Sequence, residues 1–279
     1  MIRPGMCGVG NNVTIARAAL HFYEEPCISG SEGSGAVFFS GCNLRCVYCQ
    51  NKAISHEGVG KEISVFRLSD IFFELVEQGA NNINLVTPSH FVPQIVEAIA
   101  DARSRGLSVP IIYNTSSYEL TDTLNLLKDC IDVYLPDFKY WDNKLAEEYS
   151  YAPDYRDMAV AAIDKMISLQ PKQKYDERNM ITNGVIVRHM ILPGHTKDSM
   201  KIIEYLYKTY GDCITISLMS QYTPLPFVKS YPELNRPITK REYDKVIDFA
   251  LKIGVTNAFI QEGDVAKESF IPDFNFEGV

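Results

Sequence analysis

The chain has 279 residues, 46% of them hydrophobic, and a formal net charge of −8: enough apolar material for one large α/β domain, and the wrong sign for a nucleic-acid partner held through a general basic surface. Lysines and arginines are dispersed, no apolar run reaches the roughly 18–20 residues of a membrane span, and no charged-then-apolar signal segment opens the chain. A cytoplasmic protein without a membrane or nucleic-acid partner is expected. In chain order, β-branched and aromatic runs predict strands at 36–40, 83–87, 109–114, 131–135, 185–191 and 213–219. Helical periodicity predicts helices at 68–79, 91–105, 119–128, 155–169, 198–209 and 239–253, with Ser69, Thr121 and Thr239 as N-caps and Gly79, Gly106 and Gly254 at the ends. The run Gln170 to Asn179 reads as a surface loop, and the ending Phe270 to Phe276 as a cover for the bottom or side of the fold. Alternating strands and helices whose strands read as buried imply a parallel sheet, closed or open as a barrel. One domain spanning 1–279 is expected, with a core at about 33–262, an N-terminal extension at 1–32 and a tail at 263–279.

Three cysteines, Cys42, Cys46 and Cys49, stand within eight residues in Phe38-Phe39-Ser40-Gly41-Cys42-Asn43-Leu44-Arg45-Cys46-Val47-Tyr48-Cys49-Gln50-Asn51. Soft thiolates this close hold iron-sulfur or zinc. A structural zinc site would want four ligands in two separated pairs, and no second pair follows; Cys7, Cys27, Cys130 and Cys213 stand alone. Clustered cysteines also fit a reducing compartment better than a disulfide-stapled domain. A cubane cluster held by three cysteines leaves one iron open.

The triplet with an aromatic before its last cysteine resembles the radical S-adenosylmethionine enzymes. Gly33-Ser34-Gly35 leading into Cys42, followed by Cys49-Gln50-Asn51, is similar to the opening of the pyruvate formate-lyase activating enzymes. Asp132-Val133-Tyr134-Leu135-Pro136-Asp137-Phe138-Lys139 resembles that group's aspartate-x-lysine strand end, and Val187-Arg188-His189-Met190-Ile191-Leu192-Pro193-Gly194 its arginine strand. Asn82 to His90 and Ser217 to Pro224 look like a branch described as activating-enzyme-like. The resemblance implies a partial TIM barrel, a (βα)6 core with N-terminal and C-terminal extensions. It implies a [4Fe-4S] cluster on Cys42, Cys46 and Cys49 and S-adenosyl-L-methionine as cosubstrate, chelated by the open iron and cleaved reductively to a 5′-deoxyadenosyl radical.

Carried over residue by residue, the resemblance puts Tyr48 near the adenine, Lys139 near the cosubstrate's carboxylate and Asp137 in the same pocket. Arg188 lies in an apolar strand, where a charge needs an anionic partner; the cosubstrate's carboxylate and a buried salt bridge are the two candidates. Asn114 and Gln221 stand where better-known activating enzymes use an aspartate and a histidine. The chain departs most at Thr87-Pro88-Ser89-His90, where most of the superfamily has a glycine-glycine-glutamate turn that binds the cosubstrate's amine; Thr87 or His90 must substitute, or the iron alone orients that group. His189 should face away from Arg188, His21 sits on a helical-looking face, and His195 in a Pro-Gly turn; none is assigned catalysis. The motif order points to hydrogen abstraction from a glycine of a partner glycyl-radical enzyme, with a flavodoxin or ferredoxin-type reductant. A small-molecule or peptide substrate is the alternative, and a non-catalytic iron-sulfur protein the second.

Overall fold

The computed structural model describes residues 7–261 and 272–279. Six strands fall where expected: β2 (Ser34–Phe39), β4 (Ile83–Val86), β5 (Ile111–Thr115), β6 (Val133–Pro136), β8 (Ile181–Met190) and β9 (Thr215–Met219). They run parallel, and β10 (Ala258–Ile260) extends them beyond β9. On the other edge β1 (Val13–His21) pairs antiparallel with β2, and β3 (Lys61–Ile63) antiparallel with β1. The order β10-β9-β8-β6-β5-β4-β2-β1-β3 has two different edges and does not close. The fold is a partial barrel.

The helices connecting the parallel strands are α3 (Val65–Glu77), α4 (Val92–Ser104), α5 (Thr121–Asn125), α6 (Asn143–Ser150), α7 (Tyr155–Leu169), α8 (Thr196–Tyr210) and α9 (Lys240–Ile253). Short helices α1 (Pro26–Ser29) and α2 (Lys52–Ser55) flank β2. Two caps differ from expectation. Ser64, not Ser69, caps α3, accepting from the Arg67 N–H; the helix starts at Val65, so Ser69 lies inside it and its hydroxyl donates to Asp101. Leu120 precedes α5, so Thr121 is its first residue. Thr239 caps α9 with a reciprocal Glu242 contact, the expected box.

Period-two alternation sorts each strand. Val37 and Phe39, Leu85, Ile111 and Tyr113, Tyr134, Val185 and Val187, and Ile216 and Leu218 join one large core with the helices. The opposite residues, Ala36 and Phe38, Asn84 and Val86, Ile112 and Asn114, Val133 and Leu135, and Ile186 and Arg188, face the barrel interior, which α1 plugs with Cys27 and Ile28. The loop expected at 170–179 contains a two-residue strand, β7 (Lys174–Tyr175), paired antiparallel with β8. Residues 272–279 lie along β1: the Phe276 N–H donates to the Ala16 carbonyl, the Glu277 carbonyl accepts from Ala18, and the Phe274 ring meets Phe38 edge-on at 5.6 Å. Phe270 and Ile271 lie outside the described residues.

Candidate active site

The cysteine loop follows β2, the first parallel strand, and ends in α2. Gly41, with φ +89°, makes the turn; a side chain there would meet the Cys7 carbonyl at 2.7 Å. Two backbone bonds clasp the loop to the end of α6: Arg45 N–H to the Ser150 carbonyl at 3.3 Å and Val47 N–H to the Tyr149 carbonyl at 2.8 Å. Each sulfur has a neighbour with a hydrogen to give: the Leu44 N–H for Cys42 at 3.4 Å, the Ser150 hydroxyl for Cys46 at 3.0 Å, and the Ser55 hydroxyl for Cys49 at 3.2 Å.

All three cysteines open onto one cavity of about 250 Å³ at the carboxyl ends of the strands, where α/β folds gather their chemistry. Tyr48, Thr87, Asn114, Asp137, Lys139, Arg188 and Gln221 line the same cavity. His90 does not: its Nε2 lies 2.7 Å from the Ser40 carbonyl, and its ring packs on Phe91. Tyr48 is buried, its hydroxyl 2.6 Å from that of Tyr140 and its ring edge-on to Tyr140 and Tyr222. The Gln221 amide is engaged by the Met219 sulfur and by Gln261.

The charged residues form one connected group. Asp137, just past β6, accepts from Lys139 Nζ at 2.7 Å through one oxygen and from Arg188 Nε at 2.9 Å through the other. Arg188 also donates to Glu24 at 2.9 Å and to the Asn114 oxygen at 2.6 Å. In this structure Arg188 is thus paired with two carboxylates, Glu24 and Asp137. Glu24 was not legible as a site residue. It enters from the segment between β1 and α1, lines the cavity, and also accepts from Asn84 at 3.0 Å. The phenol of Tyr155 bonds the Asp137 and Ser116 carbonyls and accepts the Lys139 N–H, which fixes the strand end.

Burial opposes the charge on Asp137, but Arg188 and Lys139 outweigh it and hold its carboxyl below the usual range. Lys139 is likewise raised despite burial, chiefly by Asp137. Burial, opposed in part by Arg188, keeps the adjacent Glu25 carboxyl above its ordinary value. His21 closes β1 and lines the cavity rather than riding a helix; burial, then Arg17 and Arg188, push it down to about 4, so it is neutral at pH 7. His189 points away from the interior, as expected, and its Nδ1 meets the Phe138 carbonyl at 2.7 Å.

The thiols test whether a cluster suits the site. Burial and then neighbouring thiols push Cys42 up to about 12, burial pushes Cys46 up to about 11, and burial raises Cys49. Burial keeps all three thiols from ionising unaided, Lys139 in the same cavity pulls the other way, and a donor set so placed fits a cationic iron-sulfur group. Among the described residues no three His, Cys, Asp or Glu side chains are arranged around a single ion. A cubane does not require that convergence, since each thiolate meets its own iron.

A model of the Radical SAM superfamily matches residues 36–206. An uncharacterized protein of Methanocaldococcus jannaschii, MJ0674, is 30% identical over 240 residues, 84% of this chain and 65% of that protein. Among solved structures, Streptococcus suis SuiB bound to the precursor peptide SuiA shares the fold with a TM-score of 0.53 at 11% identity, over 80% of this chain and 47% of that one. HydG, a maturase of the [FeFe]-hydrogenase, does so with a TM-score of 0.53 at 15% identity, over 78% and 49%.

Proposed function

Because the chain belongs to the radical SAM superfamily, and its cofactors are therefore a [4Fe-4S] cluster and S-adenosylmethionine, we propose that it cleaves that cosubstrate reductively to take hydrogen from a glycine of a partner glycyl-radical enzyme. The observation that carries the reading is the meeting of Cys42, Cys46 and Cys49 with Asp137, Lys139 and Arg188 in one cavity. A non-catalytic iron-sulfur protein would have no use for that convergence.

On this reading the three cysteines hold the cluster and leave one iron for the cosubstrate. When bound, the cluster supplies the electron that breaks a carbon-sulfur bond of the cosubstrate, which supplies the 5′-deoxyadenosyl radical. Lys139 orients the cosubstrate's carboxylate. Asp137 holds the Lys139 ammonium and the Arg188 guanidinium in place, so that neither moves when the anion arrives. Tyr48 walls the adenine side, and Asn114 and Gln221 line the pocket with amides, already bonded to Arg188 and to Gln261, in place of groups that titrate. Thr87 presents its hydroxyl where the superfamily's glutamate turn would stand, and His90 supports the wall through Ser40. A flavodoxin or ferredoxin-type protein in the cytoplasm serves as reductant.

The departure at Thr87 to His90 favours a second reading, in which the same radical acts on a small molecule or a peptide. Electron paramagnetic resonance of the reduced enzyme with each glycyl-radical enzyme of the same cell separates the two. A glycine-centred doublet supports activation. Consumption of S-adenosylmethionine with no such radical across all partners rejects it, and product analysis in cell extract then identifies the substrate.

A further inference from the structure

Four buried groups stand in line from the cavity wall to a cysteine sulfur: Tyr48 Oη to Tyr140 Oη at 2.6 Å, Tyr140 Oη to Ser150 Oγ at 2.7 Å, and Ser150 Oγ to Cys46 Sγ at 3.0 Å. Exposure is 5% at Tyr48, 1% at Tyr140, 1% at Ser150 and 8% at Cys46, so water does not compete for these contacts. Distances alone leave the donors open. A metal-bound thiolate settles them. It carries no hydrogen, so Ser150 must donate to Cys46; its one hydrogen is then spent, so Tyr140 must donate to Ser150 and Tyr48 to Tyr140. Three O–H dipoles then point the same way, positive ends toward the sulfur.

The chain is anchored at its sulfur end, since the backbone beside Ser150 is the segment clasped to Arg45 and Val47. Cys42 meets the Leu44 N–H at 3.4 Å and the Asn43 amide oxygen at 4.0 Å, with no hydroxyl on it among the described residues, and the hydroxyl on Cys49 comes from Ser55, whose own neighbour is the half-buried His56. Among the described residues, Cys46 alone of the three has a relay of buried hydroxyls.

We propose that the Tyr48–Tyr140–Ser150 chain sets the reduction potential of the cluster through Cys46, with Ser150 and Tyr140 as positioning residues. Hydrogen bonds to ligand sulfur stabilise the reduced, more negative cluster, and each bond in a chain polarises the next. The inference rests on the reading of Cys46 as a cluster ligand.

The test is a potentiometric titration of anaerobically reconstituted protein without cosubstrate, following the reduced cluster by electron paramagnetic resonance. Ser150→Ala should lower the midpoint so that the reduced-to-oxidised ratio at a fixed potential falls about tenfold, equivalent to about 59 mV for one electron. Tyr140→Phe should shift it less and Tyr48→Phe least, in the same direction, while Ser150→Thr, which keeps the hydroxyl, retains the wild-type value. Unchanged midpoints in Ser150→Ala and Tyr140→Phe with full cluster content overturn the proposal, as does a Ser150→Thr midpoint equal to that of Ser150→Ala. If Ser150→Ala fails to hold a cluster, the two phenylalanine variants decide: graded lowering supports the chain, and no change rejects it. A wild-type protein that assembles no [4Fe-4S] cluster would instead refute the ligand reading itself.

Discussion

Thr87 adopts φ +58° at the cavity wall, a left-handed conformation that a β-branched residue rarely tolerates. Such strain costs of order 1–3 kcal/mol and persists where the surrounding structure dictates it; here the Thr87 N–H is fixed to the Asn114 carbonyl at 2.9 Å. Thr87→Gly should therefore raise thermal stability, by about 1 kcal/mol after the entropic penalty of glycine. It should also weaken S-adenosylmethionine binding in a calorimetric titration, because the cavity loses a hydroxyl. A lower melting temperature would show that the threonine is not strained.

Glu119 is a second residue with a measurable signature. It is buried, bonded to the Tyr113 hydroxyl at 2.6 Å and to Thr115, and burial lifts its carboxyl from 4.5 to about 7. The folded state thus holds a proton that the unfolded state releases from about pH 4.5 upward. Its contribution to stability is full below pH 4.5, falls as pH rises, and is lost above about 7, a change of at most roughly 3 kcal/mol. Glu119→Gln should flatten this segment of the pH profile of urea unfolding; an unaltered slope would place the titration elsewhere. At this scale the motifs in the sequence picked out residues that line one cavity, the three cysteines, Asp137, Lys139 and Arg188. The sequence hid Glu24 and Ser150, which come from segments without a recognisable spacing, and Tyr140, which directly follows the Asp137-x-Lys139 motif but meets Tyr48 and Ser150 only in the fold.

Among the elements, period and caps were readable where burial is one-sided. Helix α7 spans 155–169 as its apolar spacing implied, and α9 begins at the Thr239 box. Thr239→Ala removes the hydroxyl that accepts the Glu242 N–H and should cost about 1 kcal/mol in denaturant unfolding. No change would mean that Arg236, which pairs with Glu242, holds this end unaided. What stayed hidden depends on partners distant in sequence. Strand β1, Val-Thr-Ile-Ala-Arg-Ala-Ala-Leu-His, has alanines that suit a helix, and pairing with β2 on one side and β3 on the other makes it a strand. Strand β7 is two residues long and owes its existence to β8. Helix α6 is short and mostly polar, yet its last residue supplies the hydroxyl on Cys46.

For the molecule as a whole, one alternation explains both core and site: residues of one parity pack against the helices, and those of the other turn inward. Below the cavity the interior is filled by α1, while Glu24 enters it to bond Arg188, Asn84 and Asn114. That filling could not be read from strand patterns, because it comes from the segment taken as an extension. Among the described residues no helix is long and apolar enough to cross a membrane. On the proposed function, Cys42, Cys46 and Cys49 would hold a cluster that supplies the electron for reductive cleavage of S-adenosylmethionine beside Lys139. It is tested most directly by reducing anaerobically reconstituted protein with dithionite in the presence of S-adenosylmethionine and measuring 5′-deoxyadenosine and methionine. Both should form in equal amounts, and neither in a Cys42→Ala, Cys46→Ala, Cys49→Ala control. Failure of either product to appear from protein with a spectroscopically intact cluster and a full complement of candidate substrates would contradict the account.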